Sequence, residues 1–135
     1  MLGRMRPNNL GVQNGELAAC PPSPNCVSTQ AEREEQKLQP LKQVGSTDEV
    51  STALKAAIND MPRSNVVTED ASYFHIEYTS LICRYVDDLE IWIDDENRLI
   101  HARSASRVGY SDLGVNRKRV EDLFAKLVES GVAAR

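Results

Sequence analysis

One stretch of the chain concentrates residues suited to anion binding. It runs from residue 103 to residue 119 and holds five basic side chains, two glycines and several hydroxyls. Guanidinium groups grip carboxylate and phosphate with parallel hydrogen bonds, and glycine lets a backbone approach a ligand closely. These residue types predict recognition of an anionic ligand or an acidic partner segment. The candidate binding residues are Arg103, Ser104, Ser106, Arg107, Asp112, Asn116 and Arg117.

The expected position of this stretch strengthens the anion hypothesis. A strand that ends near Ser106 and a helix that begins near residues 114–116 leave a loop between them, which would deliver its polar groups to one place. Backbone N–H groups and the positive dipole end at a helix start attract anions. A purely structural interpretation stays open, because Asp112 or Asn116 could cap the helix and the arginines could pair with acidic neighbours.

An enzyme is the alternative function. Arg103 and Arg107 would then hold an anionic substrate, and Asp112 or His101 would supply acid–base chemistry. The sequence contains no Gly-x-Ser-x-Gly or Ser-x-x-Lys motif, and its glycines fit neither a Walker nor a dinucleotide-binding fingerprint. Binding is therefore favoured over catalysis, no cofactor is expected, and an interaction module with a purely structural loop is the third hypothesis.

Histidines and cysteines offer weaker candidates. His75 and His101 are expected on polar strand faces near Glu77 and Glu90, but a metal site needs three or four converging ligands, so none is predicted. Cys20 and Cys26 enclose three prolines without Cys-x-x-Cys spacing. They are predicted either to form a turn-stabilising disulfide or to remain two ordinary thiols.

Two amphipathic helices are expected to frame the site. Residues 46–49 have capping-box spacing, and apolar residues then recur at steps of three and four until Pro62. A second apolar stripe runs from Val120 to Val128, and Gly131 follows it as a candidate C-terminal glycine. Both helices are predicted to cover a core.

Between the helices the apolar period changes to two, which indicates strands. Four strands following one another predict an antiparallel meander with both helices packed on one face, in the α+β class. Residues 1–42 hold most of the six prolines and little periodicity. We therefore expect an extended N-terminal arm over 1–42, packed on a single α+β domain over 43–132.

Composition limits the partners. The 135 residues carry a net charge of −4, which disfavours nucleic acid as a partner. The sequence has neither an apolar run of the roughly 20 residues that span a membrane nor a signal peptide. These features predict a soluble, cytoplasmic protein, whereas the oligomeric state is not determined by the sequence.

Three segments resemble a known family. They are Cys-Pro-Pro-Ser-Pro-Asn-Cys-Val-Ser at 20–28, Val-Asp-Asp-Leu-Glu at 86–90, and the stretch from Arg103 through Val120. Together they are similar to the family called domain of unknown function fourteen ninety-nine, which occurs in bacteria and plant plastids. The resemblance extends from about residue 10 to residue 128 and implies a compact single-domain protein without an established activity. Some relatives carry membrane or targeting segments before this domain.

Overall fold

The computed structural model describes residues 5–81, 84–108 and 114–135. Within these ranges the chain forms two α-helices and one seven-stranded sheet whose strand pairs are antiparallel. The helices are α1 (Thr47–Asn59) and α2 (Val115–Glu129). The strands are β1 (Cys26–Ser28), β2 (Leu41–Gln43), β3 (Ser64–Glu69), β4 (Tyr73–Thr79), β5 (Val86–Asp94), β6 (Leu99–Ser106) and β7 (Ala133–Ala134).

The α+β class is confirmed, but the expected four-stranded meander is wrong. Strands β3 to β6 form that meander, and the sheet continues beyond it in the order β3-β4-β5-β6-β2-β7, with β1 also paired to β6. The reason lies in β6, whose second edge would otherwise present unpaired N–H and C=O groups. Two short segments from the expected N-terminal arm, β1 and β2, satisfy this edge, and β7 extends the sheet from β2.

Helix α1 begins as its sequence predicts. The Ser46 hydroxyl accepts a hydrogen bond from the Glu49 backbone at 3.1 Å, and the Glu49 carboxylate accepts one from the Ser46 backbone at 2.9 Å. This reciprocal capping box satisfies two N–H groups that the first helical turn leaves without helical partners. The apolar stripe of α1 then buries Val50, Leu54 and Ile58.

Helix α2 is bounded by two glycines with left-handed backbone. Gly114 precedes it with φ of 81°, and Gly131 follows it with φ of 85°. The expected C-terminal glycine is thus confirmed, since a residue with a side chain is strained at such a dihedral angle. The predicted stripe is fully buried through Val120, Leu123, Phe124 and Leu127.

The two faces of the sheet differ in chemistry. On the helix face, apolar side chains of β4, β5 and β6 pack against α1 and α2 in one hydrophobic core. Alternate residues of the same strands point to the opposite face. Its buried members are polar, among them His75, Asp88, Glu90 and Arg103.

An N-terminal arm, residues 5–24, passes over the second face. Leu17 is its first buried side chain, and the Leu17 backbone donates to the Gln30 side chain at 2.8 Å. A disulfide then joins Cys20 to Cys26 at the start of β1. Neither helix in the described ranges has the length and apolar character needed to cross a bilayer.

Candidate functional site

The candidate site motif runs along a strand, and this divides its side chains between two faces. Residues 103–106 belong to β6, where successive side chains point to opposite sides of the sheet. Ser104 and Ser106 point toward the helices, whereas Arg103 points toward the arm, as does Arg107 just after the strand. The motif therefore supplies two separate clusters.

The cluster on the helix face is a buried hydrogen-bond network centred on Asn116. Its side chain is 0% exposed. The Asn116 carbonyl oxygen accepts from the Ser104 hydroxyl at 2.5 Å, and its amide nitrogen donates to the Ser106 hydroxyl at 2.9 Å and to the Asn25 backbone carbonyl at 3.2 Å. Asn116 lies inside α2 and joins the helix to β6 and to Asn25, the residue before β1, which is a structural arrangement.

The cluster under the arm, called the charged face below, unites residues from three strands and the residue after β6. The pairing register places His75 beside Glu90 and Glu90 beside Arg103, with Glu77 beside Asp88 one step along. Charged groups this deep in a protein are costly unless they are paired. The members of the charged face are Tyr73, His75, Glu77, Asp88, Glu90, Arg103 and Arg107.

Arg107 is held by two carboxylates. Its Nε donates to Asp88 Oδ2 at 2.8 Å, and one terminal nitrogen donates to Asp88 Oδ1 at 2.9 Å and to Glu77. The hydrogen bond to Asp88 raises the pKa of Arg107. Burial alone would raise the pKa of Asp88, but the bonds from Arg107 and His75 outweigh it and hold that pKa below its ordinary value.

The other carboxylates of the charged face also have defined partners. His75 Nε2 lies 2.7 Å from Asp88 Oδ1, and the Tyr73 hydroxyl donates to Glu90 Oε2. The bond from Arg6 of the arm, together with Arg107, lowers the pKa of Glu77. Burial, followed by the bond to Glu90, raises the pKa of Tyr73.

Three of these side chains have the types and spacing of metal ligands. Ligand atoms of His75, Glu77 and Asp88 lie within 4.8 Å of one another. The Arg107 guanidinium, however, already bonds to both carboxylates. A cation would have to displace Arg107, so this trio fits an ion-paired cluster better than a metal site.

Arg103 is held much more loosely than Arg107. It is 5% exposed, yet within the described residues it donates a single hydrogen bond, from Nη2 to the Ala19 carbonyl at 3.3 Å, and its Nη1 lies 3.6 Å from Glu90 Oε1. Among the described residues, Arg103 Nε and Glu90 Oε1 are buried without a hydrogen-bond partner. Burial lowers the pKa of Arg103, while Glu90 opposes this shift. A buried guanidinium with an unpartnered donor is energetically unfavourable.

The remaining basic residues of the motif lie elsewhere. Arg117 donates to the backbone carbonyls of Lys37 and Glu35 and makes none of the contacts described for the charged face. Arg119 pairs with Asp87 at 2.8 Å and lies over the ring of Tyr78. Asp112, the last of the predicted binding residues, falls outside the described residues, as does most of the expected loop.

His101, expected as a candidate acid–base residue, has a structural environment. Its ring stacks on Trp92 with centroids 5.4 Å apart, and its Nδ1 lies 2.9 Å from the Thr29 hydroxyl. Burial lowers the pKa of His101. The ring is therefore packed and hydrogen-bonded rather than directed at a ligand.

The alternative left open for the first two cysteines is resolved in favour of the disulfide. The Cys20–Cys26 bond closes the proline segment and fastens the arm to β1. The Gln36 side chain donates to the Pro21 and Ser23 carbonyls inside the closed loop, at 2.7 and 2.9 Å. The arm is thus fixed from residue 20 onward, immediately after the carbonyl that contacts Arg103.

Sequence reasoning missed Asp88 and Tyr73. The signal was present, because polar residues alternate with apolar ones in both β4 and β5. Such alternation is typical of a strand with one face in solvent. The strand register is needed to show that the polar faces of three strands meet beneath the arm.

The chain belongs to the family described as Protein of unknown function (DUF1499), whose sequence profile matches residues 16–127. The family suggested by the three sequence motifs is thereby confirmed. No curated protein matches the chain in sequence. The matched range contains every strand residue of the charged face but excludes residues 5–15 of the arm.

Proposed function

We propose that this chain is a binding protein that holds an oxyanion, a carboxylate or a phosphate, on the guanidinium of Arg103. The observation that carries the proposal is the buried, unpartnered Nε of Arg103. The family is described as one of unknown function, so membership does not indicate an activity. The proposal therefore rests on the chemistry of the site.

The geometry of the guanidinium explains why an oxyanion fits. Nε and Nη2 form the edge on which a guanidinium grips two oxygens in parallel. In Arg103 this edge carries only the 3.3 Å bond to the Ala19 carbonyl. Glu90 lies against the opposite nitrogen, Nη1, and leaves the Nε edge unpaired. A ligand oxyanion would replace Ala19 and supply the missing acceptor.

Comparison among the arginines narrows the original hypothesis. Arg107 uses its donors on Asp88 and Glu77, Arg117 uses its donors on backbone carbonyls, and Arg119 pairs with Asp87. Arg103 is the member of the motif whose donors are left over in a buried position. The proposed ligand is therefore held by one arginine at the sheet rather than by the whole basic stretch.

The proposal also concerns the compartment. A cytoplasmic location remains a prediction, and a disulfide such as Cys20–Cys26 is more typical of oxidising compartments. Oxyanion binding by Arg103 is compatible with both the cytoplasm and an oxidising compartment, because the guanidinium is charged in both.

The test observes the unpartnered group directly. In ¹⁵N-labelled protein the Arg103 Nε–H resonance, assigned by its loss in Arg103→Lys, is followed during titration with inorganic phosphate and separately with acetate. We expect a saturable shift with at least one of them, absent with chloride. Arg117→Lys is the matched control and should leave the titration unchanged. If neither oxyanion moves the resonance, the proposal is wrong.

A further inference from the structure

A short segment of the arm lies on the charged face without an apolar anchor. From residue 5 to residue 16 the described chain has no buried residue, and burial begins at Leu17. We call residues 5–12 the strap. Its apolar side chains Leu10 and Val12 are only half-buried, so apolar burial holds the strap less firmly than it holds the chain from Leu17 onward, and polar contacts position the strap on the sheet.

Those polar contacts are made to two carboxylates of the charged face. Arg6 Nε donates to Glu77 Oε2 at 2.7 Å, and the Gly11 backbone donates to Glu90 Oε2 at 2.7 Å. Between these points the strap stands off the sheet, leaving a cleft of about 270 Å³ that reaches Thr68, Tyr73 and His75. The strap thus contacts the sheet as a peptide ligand would, through one basic side chain and one backbone N–H.

The chain next to the strap can act as a hinge. Gln13 and Glu16 exchange backbone hydrogen bonds of 2.9 and 3.1 Å across a tight turn. Asn14 and Gly15 within it both have positive φ. Beyond the turn, Leu17 and the Cys20–Cys26 disulfide anchor the arm. The strap can therefore leave the sheet while the rest of the arm stays in place.

Once the strap has left, the charge of the charged face would favour binding of another basic segment in its place. Without Arg6, three carboxylates (Glu77, Asp88 and Glu90) face two arginines (Arg103 and Arg107) in the cluster. Those five residues lie in the range matched by the family, 16–127, whereas the strap lies before it. The acidic site is thus part of the family's domain, and its cover is not.

We infer that the charged face is a docking site for an extended, basic polypeptide segment of another protein, and that the strap occupies this site within the same chain. Glu77 binds an arginine or lysine side chain of the partner, and Glu90 binds a backbone N–H about five residues later. The inference stands apart from oxyanion binding, because it uses carboxylates and does not involve the Nε edge of Arg103.

The test opens the site in the full chain. In Arg6→Glu, Gly11→Pro the first change repels Glu77, and the second removes the N–H donor and the positive φ that its position requires. The probe is a synthetic peptide with the sequence of residues 5–12, and its control carries glutamate in place of arginine. Calorimetry measures the affinity of both peptides for the opened variant and for the original chain.

We expect the peptide to bind the opened variant at least about ten-fold more tightly than it binds the original chain, where the strap competes. Glu77→Gln in the opened variant should abolish that gain. A folded opened variant that binds neither peptide, or binds both equally, overturns the inference. Unfolding of the opened variant also counts against it, because the strap would then be an integral part of the fold.

A second measurement needs no variant. Hydrogen exchange compares the Gly11 amide of the strap with the Leu17 amide of the anchored arm, since both are bonded to side-chain oxygens. We expect Gly11 to exchange much faster, because the strap opens locally. Equal protection of the two amides contradicts a displaceable strap.

Discussion

The two faces of the sheet are covered in different ways, one through apolar packing and the other through ion pairs. The helix face is covered by α1 and α2, whose side chains interlock with those of β4, β5 and β6 in one apolar core. The charged face is covered by an arm with few buried side chains, above a network of ion pairs. Apolar burial stabilises with little geometric demand, whereas buried charges must each find a partner.

The difference teaches where to look for function. A buried ion-paired cluster is often no more stable than apolar residues of similar volume. On the helix face, Asn116 and its two serines satisfy one another, although the Gln43 side-chain carbonyl oxygen is buried without a hydrogen-bond partner among the described residues. On the charged face a donor of Arg103 and an acceptor of Glu90 remain unsatisfied. The charged face differs in that its unpartnered atoms belong to ionisable side chains, which is the basis of the proposed oxyanion binding.

The largest effect is expected on the helix face. Phe124→Ala removes a fully buried ring from the core and should lower the free energy of unfolding by about 3–5 kcal/mol. Urea denaturation followed by circular dichroism measures the loss. Val128→Ala, at a partly buried position beside the core, is the control and should cost much less. A loss below about 1 kcal/mol for Phe124→Ala would remove the contrast between the faces.

Breaking the ion cluster should cost somewhat less. Arg107→Met removes the guanidinium shared by the buried Asp88 and the half-buried Glu77, which keep only His75 and Arg6 as partners among the described residues, and it should lower the free energy of unfolding by about 3 kcal/mol. Arg117→Met, which loses only bonds to backbone carbonyls, is the matched control, with an expected loss below about 1 kcal/mol. Equal stability of both variants would show that the pairing of Arg107 is not needed by the fold.

The polar network of the helix face should rank third. Asn116→Ala leaves the buried Ser104 hydroxyl without its acceptor and removes one donor from the Asn25 carbonyl, which keeps the Ser106 backbone N–H, and we expect a loss of about 2 kcal/mol. Asn97→Ala, at an exposed turn, serves as the comparison in the same urea experiment. If both variants lose equally little, Asn116 is not the junction between α2 and β6.

Acid should destabilise the folded chain in two stages, the first through His101 and the second through two carboxylates of the charged face. The lowered pKa of His101 means that the unfolded chain binds more protons, so stability declines as pH falls below the ordinary histidine value near 6.5. The lowered pKa values of Glu77 and Asp88 act likewise below about pH 4.5, where their unfolded forms protonate first. Urea midpoints at a series of pH values measure both stages. His101→Gln should flatten the first stage alone, and an unchanged profile would assign it to another group.

The smallest effect is expected at the strap. Arg6 is about half exposed, and Arg6→Ala should change the free energy of unfolding by less than about 1 kcal/mol. The same variant should raise the pKa of Glu77 toward its ordinary value, because the hydrogen bond from Arg6 contributes most to lowering it. Carboxylate-detected NMR titration follows that pKa. A large loss of stability would instead place the strap among the elements that hold the fold together.

The helices and the central meander could be predicted from the sequence because each is encoded locally. The capping box at Ser46 and the stripe around Phe124 lie within single elements. The strands β1, β2 and β7 have three, three and two residues, too few to show a period. They form because β6 offers an edge, and an edge is a property of the assembled sheet.

The candidate site was only partly predictable for a related reason. Residue types identified Arg103 and Arg107 as candidate ligand-binding residues, which stays a prediction, but they could not identify the carboxylates that contact them, which lie far along the chain in β4 and β5. The expectation that Ser104, Asn116 and Arg103 converge is not met, because strand alternation sends the first two to the helices. Ligand binding by these residues stays a prediction. The proposed oxyanion site uses Arg103 alone.

The alternation in β6 also limits how the gene for this chain can change in length. Deleting or inserting one residue inside Leu99–Ser106 would turn Arg103 toward Phe124 and turn apolar side chains toward Glu90. The insertion or deletion of one codon would therefore disrupt the packing of the helix face and the ion pairs of the charged face together. The turn at 95–98, whose residues lie outside the ladder, can absorb the same change. We therefore expect natural insertions and deletions in relatives to collect at such turns and to spare β6.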